Sequence, residues 1–156
     1  MKTTQKANDE QTAINERRSG TRNAIAKMVA ERTEVLALYW RLAGFDSFEN
    51  GQREPAQQLL QEFCQLLVDY IAAGHFSLYE RVVNGTERRR DIAKLAQELY
   101  PRIADTTTTA LDFNDKYDSG DKFEMTDGFK ADLSRVGEEL ALRIELEDKL
   151  IALMLR

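Results

Sequence analysis

The residue types that could carry chemistry are concentrated in one stretch of the chain, Phe63–Arg81. It holds the only cysteine of the 156 residues, Cys64, and the only histidine, His75, together with Asp69 between apolar neighbours. A thiol beside an imidazole can act as a nucleophile with its base, and imidazole and carboxylate groups can bind a metal ion. Polar groups among apolar residues need partners, so this stretch should encode either function or a specific packing.

The number of available ligands and bases argues against both kinds of chemistry. Metal sites in helical bundles take several His and Glu ligands from facing helices, whereas this chain has one histidine and no Glu-x-x-His pair. Cys64 lies among Phe63, Leu66 and Leu67, which predicts a buried, unreactive thiol. The sequence also has no Gly-rich phosphate loop, Gly-x-Ser-x-Gly elbow or Cys-x-x-Cys pair. We therefore expect no catalytic residue, no metal, no cofactor and no enzymatic activity.

The charge of the chain indicates which partners it can bind. The net charge is −5, and residues 101–156 carry eight Lys/Arg against thirteen Asp/Glu. Direct binding to nucleic acid is disfavoured, because neutralising phosphates requires a basic surface. An acidic protein can instead approach a basic partner, including the DNA-binding face of another protein. A lone cysteine and the lack of a long apolar run predict a cytoplasmic protein outside the membrane.

Helical patterning extends over almost the whole chain, which has two prolines and eight glycines. Gly74 is expected to end one helix at a Gly-His-Phe corner, and Pro101 is expected to start another. Loops are expected at residues 45–53 and 118–121. The predicted helices span residues 9–43, 55–73, 76–83, 88–99, 101–117 and 126–155. The predicted inner stripe of the first helix contains Ile25, Met28, Val29, Arg32, Leu36, Tyr39 and Ala43.

These elements predict an all-α fold, namely an antiparallel up-down four-helix bundle with short extra connecting helices. Residues 21–156 should form a single domain, which we expect to be monomeric. Residues 1–20 are polar and should be a frayed N-terminal extension.

Several ionisable residues lie on or beside the apolar helix faces. Arg143 and Glu147 are four residues apart and can form an ion pair along one helix. Three interpretations are open for these side chains: their tips reach solvent, they fix the register of the helices as a buried network, or they act directly in function. The candidate network consists of Arg32, Asp69, His75, Arg143 and Glu147.

Three segments carry a resemblance to a known family. The run Phe63–Arg81, with its Asp-Tyr, Gly-His-Phe and Tyr-Glu elements, resembles the signature of the Rsd/AlgQ family, bacterial anti-sigma factors that bind the housekeeping sigma subunit of RNA polymerase. The segment from Arg32 to Gly44 is similar to the first helix of that family, and Gly137–Ile151 is similar to its last helix.

The resemblance implies a specific partner. It implies that the protein binds the C-terminal domain of the housekeeping sigma factor, which reads the −35 promoter element, and sequesters that factor from core polymerase and DNA. The expected partner-binding residues are Asp69, His75, Phe76, Tyr79 and Glu80. The alternative is a signalling adaptor that binds a metabolic or stress-response protein. Trp40 and Tyr39 lie on different faces of one helix, so one of the two should be exposed as a further candidate contact.

Overall fold

The computed structural model of the protein describes residues 2–45, 53–118 and 126–156, with the side chains of residues 53 and 54 excepted. Most of these residues are helical and none of them lies in a strand, which confirms the all-α prediction. The long helices are α1 (Lys2–Ala43), α2 (Arg53–Gly74), α4 (Arg90–Tyr117) and α5 (Asp127–Met154). A π-helical segment (His75–Tyr79) and the short α3 (Glu80–Val83) follow α2. None of the described helices has both the length and the hydropathy needed to span a membrane.

Helix α2 contributes many of the most deeply buried side chains. It packs against α1 and α4, α4 packs against α5, and α1 also touches α5. Leu60, Phe63, Leu67 and Tyr70 of α2 are fully enclosed. The ring of Phe63 meets Phe113 of α4 edge to face, with the ring centroids 5.8 Å apart. Such aromatic pairs add to the free energy gained from burial, so α2 is held from several sides.

The buried face of α1 differs in part from the predicted stripe. Ile25 and Met28 are buried as expected, but further along the helix the buried residues are Val35, Leu38 and Leu42. Leu36 and Tyr39 are only partly buried, and Ala43 is exposed. Residues 35–39 are apolar on every face of the helix, so their spacing alone does not select which face packs inward.

Helix α2 ends at Gly74 as predicted, but the sharp corner expected there is wrong. Gly74 has right-handed helical backbone angles (φ −61°, ψ −44°), and the chain continues directly into the π-helical segment. The N–H of Glu80 donates to the carbonyl of His75, five residues earlier, as a π-helix requires. A Cβ at residue 74 would lie 3.1 Å from Nη2 of Arg143, so a larger residue there requires that guanidinium group to shift by a few tenths of an ångström.

The predicted break before Pro101 is also wrong. Helix α4 runs from Arg90 to Tyr117 with Pro101 inside it, so the two predicted helices are one. Proline removes one hydrogen-bond donor, which leaves the carbonyl of Gln97 without its partner. Gln97 and Pro101 are both exposed, and water can therefore hydrogen-bond that carbonyl.

The ends of the other helices follow the prediction in part. Thr126 caps α5, since its Oγ1 accepts a 3.1 Å hydrogen bond from the N–H of Phe129, as expected for a helix that starts near residue 126. Helix α1 begins at Lys2 rather than near residue 9, and residues 2–20 are exposed apart from partly buried Ile14. Most of the loops predicted at 45–53 and 118–121 lie outside the described residues.

Candidate functional site

A buried ionic cluster lies at the centre of the fold. Glu147 is fully buried on α5, and its Oε1 accepts a 2.8 Å hydrogen bond from Nε of Arg143 one turn earlier. The Tyr70 hydroxyl on α2 donates a 2.5 Å hydrogen bond to the same oxygen. Nη1 of Arg143 donates to the hydroxyls of Thr106 and Thr107 on α4, at 3.2 and 2.7 Å. These contacts join α2, α4 and α5 through one carboxylate and one guanidinium group.

Helix α1 joins the cluster through Arg32. Its Nη1 lies 3.5 Å from Oε2 of Glu147 and 2.9 Å from Oδ1 of Asp148. The side chain of Asp148 is more than half exposed, whereas that of Arg32 is largely covered. The buried carboxylate of Glu147 therefore faces two cations, and the four long helices all supply a residue to the cluster. Such a network depends on a single relative placement of its helices.

Burial shifts the pKa values of the titratable groups in this cluster. It raises the pKa of Glu147, while Arg143, the Tyr70 hydrogen bond and Arg32 act in the opposite direction. Burial, and then the charge of Glu147, raise the pKa values of Tyr70 and Tyr79. Both phenols are therefore neutral hydrogen-bond donors at neutral pH. The hydroxyl of Tyr79 is buried and has no hydrogen-bond partner among the described residues.

Two residues of the candidate network do not reach the cluster. Asp69 is exposed, and its Oδ1 accepts a 3.1 Å hydrogen bond from the neighbouring Gln65 side chain. His75 is also exposed, and its ring lies against that of Phe76. The prediction that Asp69 and His75 belong to a buried network is therefore wrong. Only one face of α2 is buried, and Asp69 lies on the other face.

The expected partner-binding residues differ in accessibility. Phe76 is 65% exposed, His75 is exposed with its ring against that of Phe76, and Asp69 is exposed seven positions before Phe76. Glu80 is half-buried. Tyr79 is 1% exposed and lies against Tyr100, so it cannot touch a partner in this conformation and is corrected to a core residue.

A second exposed aromatic residue lies at the far end of α1. Trp40 is 70% exposed, whereas Tyr39 is partly buried against Phe63, as expected for neighbours on different helix faces. The Ser77 hydroxyl, next to Phe76, donates to the carbonyl of Ala24 at 3.4 Å. Since Ala24 and Trp40 are separated by 16 positions of one helix, the two aromatic surfaces are about 24 Å apart along α1.

Three members of the cluster, Tyr70, Thr106 and Thr107, were not predicted from the sequence. A signal was present, because Thr106 lies in core register between Ile103 and Ala110 and must satisfy its hydroxyl locally. It does so by donating to the carbonyl of Ile103 at 2.7 Å, and its oxygen is then oriented as an acceptor for Arg143.

Other chemistry expected from reactive side chains finds no support here. Cys64 is buried, and burial raises the pKa of its thiol to about 12, the opposite of what a nucleophilic cysteine requires. Within the described parts of the chain, no group of three His, Cys, Asp or Glu side chains is placed to hold a metal ion. The contacts of the cluster join the four long helices to one another.

The fold and site define a helical protein that joins a buried ionic cluster to an exposed aromatic and acidic surface. Residues 8–155 match the model of one family, described as regulator of RNA polymerase sigma(70) subunit, Rsd/AlgQ. The chain belongs to this family.

The individual relatives agree with this assignment. The chain is similar to the regulator of sigma D from Shigella dysenteriae serotype 1, with 33% identity over 146 residues, covering 91% of this chain and 90% of the relative. The regulator of sigma D from Escherichia coli O139:H28 gives the same identity and coverage. The similarity thus covers nearly the full length of both chains, and the resemblance seen in three segments extends over the whole domain.

Proposed function

We propose that this protein is an anti-sigma factor that binds the C-terminal, −35-reading domain of the housekeeping sigma factor. Binding there would sequester sigma from core RNA polymerase and from promoter DNA, and so regulate transcription. The observation that carries the proposal is the family match over residues 8–155. The net charge of −5 supports it, because an acidic protein complements a DNA-reading surface, which must be basic.

The contact surface we propose contains Asp69, His75 and Phe76, with Glu80 at its edge. Phe76 supplies an exposed aromatic ring of the kind that dominates binding energy at interfaces. The carboxylate of Asp69 is accessible, and its one hydrogen-bond partner among the described residues is the side chain of Gln65. Because both residues are exposed, replacing either one should leave the helical core intact, so binding and folding can be measured separately.

The test is a calorimetric titration of the isolated sigma C-terminal domain with the full-length protein, carried out at two salt concentrations. Phe76→Ala should weaken binding at least about tenfold, as expected for an interface anchor. Trp40→Ala is the matched control, since Trp40 is equally exposed but lies at the other end of α1. Asp69→Ala should weaken binding and its salt dependence, with the exposed Asp115→Ala as control.

Three results contradict parts of the proposal. No binding of the wild-type protein at micromolar concentration would exclude the anti-sigma function. Loss of binding in Trp40→Ala, with Phe76→Ala unaffected, would place the interface at the other end of the protein. Capture of a metabolic or stress-response protein from cell extract, without sigma, would favour the adaptor function.

We also propose that residues 21–156 form an antiparallel up-down four-helix bundle that acts as a monomer in the cytoplasm, with residues 1–20 outside it. The contacts of α1 with α2, α2 with α4, and α4 with α5 support this arrangement. Short connections, of the kind between α4 and α5, favour antiparallel neighbours. Removal of residues 1–20 should leave the thermal unfolding transition unchanged, and a large loss of stability would show that the N-terminal segment packs on the bundle.

A further inference from the structure

A cavity of about 510 Å³ opens between α2, the π-helical segment and α4. Its walls are mainly apolar and include Ile71, Ile103 and Leu111, with the rings of Phe76 and Tyr100 at the sides. Leu111 and Tyr100 are each about two-fifths exposed, so the cavity is reached from solvent. Its size and apolar lining are those of sites for small organic molecules.

Arg143 gives this apolar cavity a polar end. The guanidinium group is almost fully buried and is one of the groups that line the cavity. Its Nε and Nη1 donate to Glu147, Thr106 and Thr107, as described above, but Nη2 has no acceptor among the described residues. A guanidinium nitrogen that is available beside apolar walls is suited to bind an oxyanion.

The charges beside the cavity are compatible with a ligand that carries a single negative charge. Arg32 and Arg143 both face Glu147, which is the one fully buried carboxylate of the cluster. Asp148 pairs with Arg32 from an exposed position, where water screens its charge. The two cations and two carboxylates therefore balance, and only one of the carboxylates, Glu147, is paired with Arg143. A monoanion adds one negative charge beside Arg143, whereas a dianion would add two.

The backbone beside the cavity is unusual in a way that supports a binding site. The π-helical segment places His75, Phe76 and Tyr79 along the cavity, and single π-helical turns are frequent at functional sites. Tyr79 also contributes a buried hydroxyl without a described partner. Unsatisfied buried donors are rare in folded proteins, and a polar ligand is one way to satisfy them.

We propose that this cavity binds a small apolar monocarboxylate. Its carboxylate accepts a hydrogen bond from Nη2 of Arg143, and its hydrocarbon part lies between Ile103, Leu111 and Phe76. The inference does not rest on the anti-sigma function, because it concerns the protein without a partner. His75 and Phe76 belong both to the cavity and to the proposed contact surface, so binding is measured in the absence of sigma.

In the test, ¹H–¹⁵N spectra of the full-length protein are recorded while it is titrated with phenylacetate, 4-methylpentanoate or octanoate. A ligand of about ten non-hydrogen atoms should bind with Kd on the order of 1 mM or tighter. The corresponding amides have nearly the same shape without the charge, and they should bind at least about tenfold more weakly. Shifts should be largest for the amides of residues 71–79 and 103–111.

Two pairs of variants locate the ligand. Ala72 is exposed and lines the cavity, so Ala72→Phe should fill its mouth and abolish binding. Ala141→Phe places the same side chain at an exposed position of α5 outside the cavity lining and should bind as the wild type does. Leu111→Ala removes an apolar wall and should weaken binding several-fold, whereas Leu155→Ala, of similar exposure, should not.

The outcomes are distinct. Charge-dependent binding that is lost in Ala72→Phe and kept in Ala141→Phe supports the proposal. It is overturned if none of the three carboxylates shifts the spectrum at about ten times the expected Kd, or if acids and amides bind equally. If Ala72→Phe does not fold, the Leu111→Ala and Leu155→Ala pair decides, and equal affinity of those two variants also overturns it.

Discussion

The Tyr70 hydroxyl donates a hydrogen bond to Glu147 across 77 residues of sequence and so ties α2 to α5 inside the core. Both side chains are fully buried, and the guanidinium group of Arg143 lies 5.5 Å from the centre of the Tyr70 ring. Tyr70 therefore contacts both the anion and the cation of the cluster. A phenol in this position supports the charged form of Glu147 against the cost of burial.

Tyr70→Phe should destabilise the protein by about 1–2 kcal/mol, because Glu147 loses one of its two short hydrogen bonds while it remains buried. The measurement is the midpoint of urea unfolding followed by circular dichroism. Tyr100→Phe is the control, since Tyr100 is partly exposed and its hydroxyl should be replaceable within about 0.5 kcal/mol. Equal midpoints for Tyr70→Phe and the wild type would contradict the assigned role of this hydrogen bond.

Glu147→Gln should cost more, about 3 kcal/mol, because it leaves Arg143 buried without its anionic partner. The loss of stability is measured by the same urea unfolding experiment. Glu145→Gln is a matched control on the same helix, where the side chain is 67% exposed and pairs weakly with Lys149 at 3.9 Å. If both variants lose the same small amount of stability, the cluster is not a structural element of the core.

Gly137→Ala should lower stability by about 1 kcal/mol, although alanine favours helix over glycine by a similar amount. A Cβ at residue 137 would overlap the hydroxyl and ring of Tyr39, which is held in turn against Phe63 and Trp40. The variant thus probes the close approach of α1 to α5.

Gly128→Ala is the matched control for this substitution, because among the described residues its Cβ would meet only the Thr126 hydroxyl, at an ordinary 3.6 Å. It lies on the same helix and should be neutral or stabilising. Thermal unfolding of both variants against the wild type decides the question, and a stabilised Gly137→Ala would show that Tyr39 moves aside without cost.

Local patterns in the sequence predicted those structural features that depend only on nearby residues. The spacing of Arg143 and Glu147 predicted that they can form an ion pair, and the apolar neighbours of Cys64 predicted its burial, because both follow from the local sequence. The direct continuation of α2 into the π-helical segment and the passage of α4 through Pro101 were not predicted, because residues that disfavour a helix are weak signals that the rest of the structure can override. The guanidinium group that lies close to Gly74, that of Arg143, is 69 positions away in the sequence.

The candidate site was predicted only in part for the same reason. An aspartate within an apolar run is buried or exposed according to the face on which it falls, and Asp69 lies one position before the buried face at Tyr70. Tyr79 and Phe76 are both aromatic and three positions apart, yet one is buried and the other exposed. The π-helical turn changes the usual spacing there, and no sequence pattern used above predicts such a turn.

The contact between Tyr117 and Asp132, which joins α4 to α5, predicts a pH dependence. A hydrogen bond from the Tyr117 hydroxyl lowers the pKa of Asp132 below 3.8, and Lys116, 2.9 Å away, lowers it further. Burial, and then the hydrogen bond to Asp132, raise the pKa of Tyr117 to about 12. Because the folded protein holds the Asp132 proton less tightly than the unfolded chain does, this contact stabilises the fold above pH 3.8.

That stability should be lost as the pH falls from about 4 through the lower pKa of Asp132 in the folded protein. Asp132→Asn should remove this part of the pH dependence. The contribution of the contact to the free energy of unfolding is less than about 1 kcal/mol, because the pair lies near the surface. Carbon-13 NMR of the carboxyl groups gives the direct test, since Tyr117→Phe should raise the pKa of Asp132. An unchanged pKa in Tyr117→Phe would mean that the cations Lys116 and Arg135 are responsible, in which case Lys116→Gln should raise the pKa of Asp132 instead.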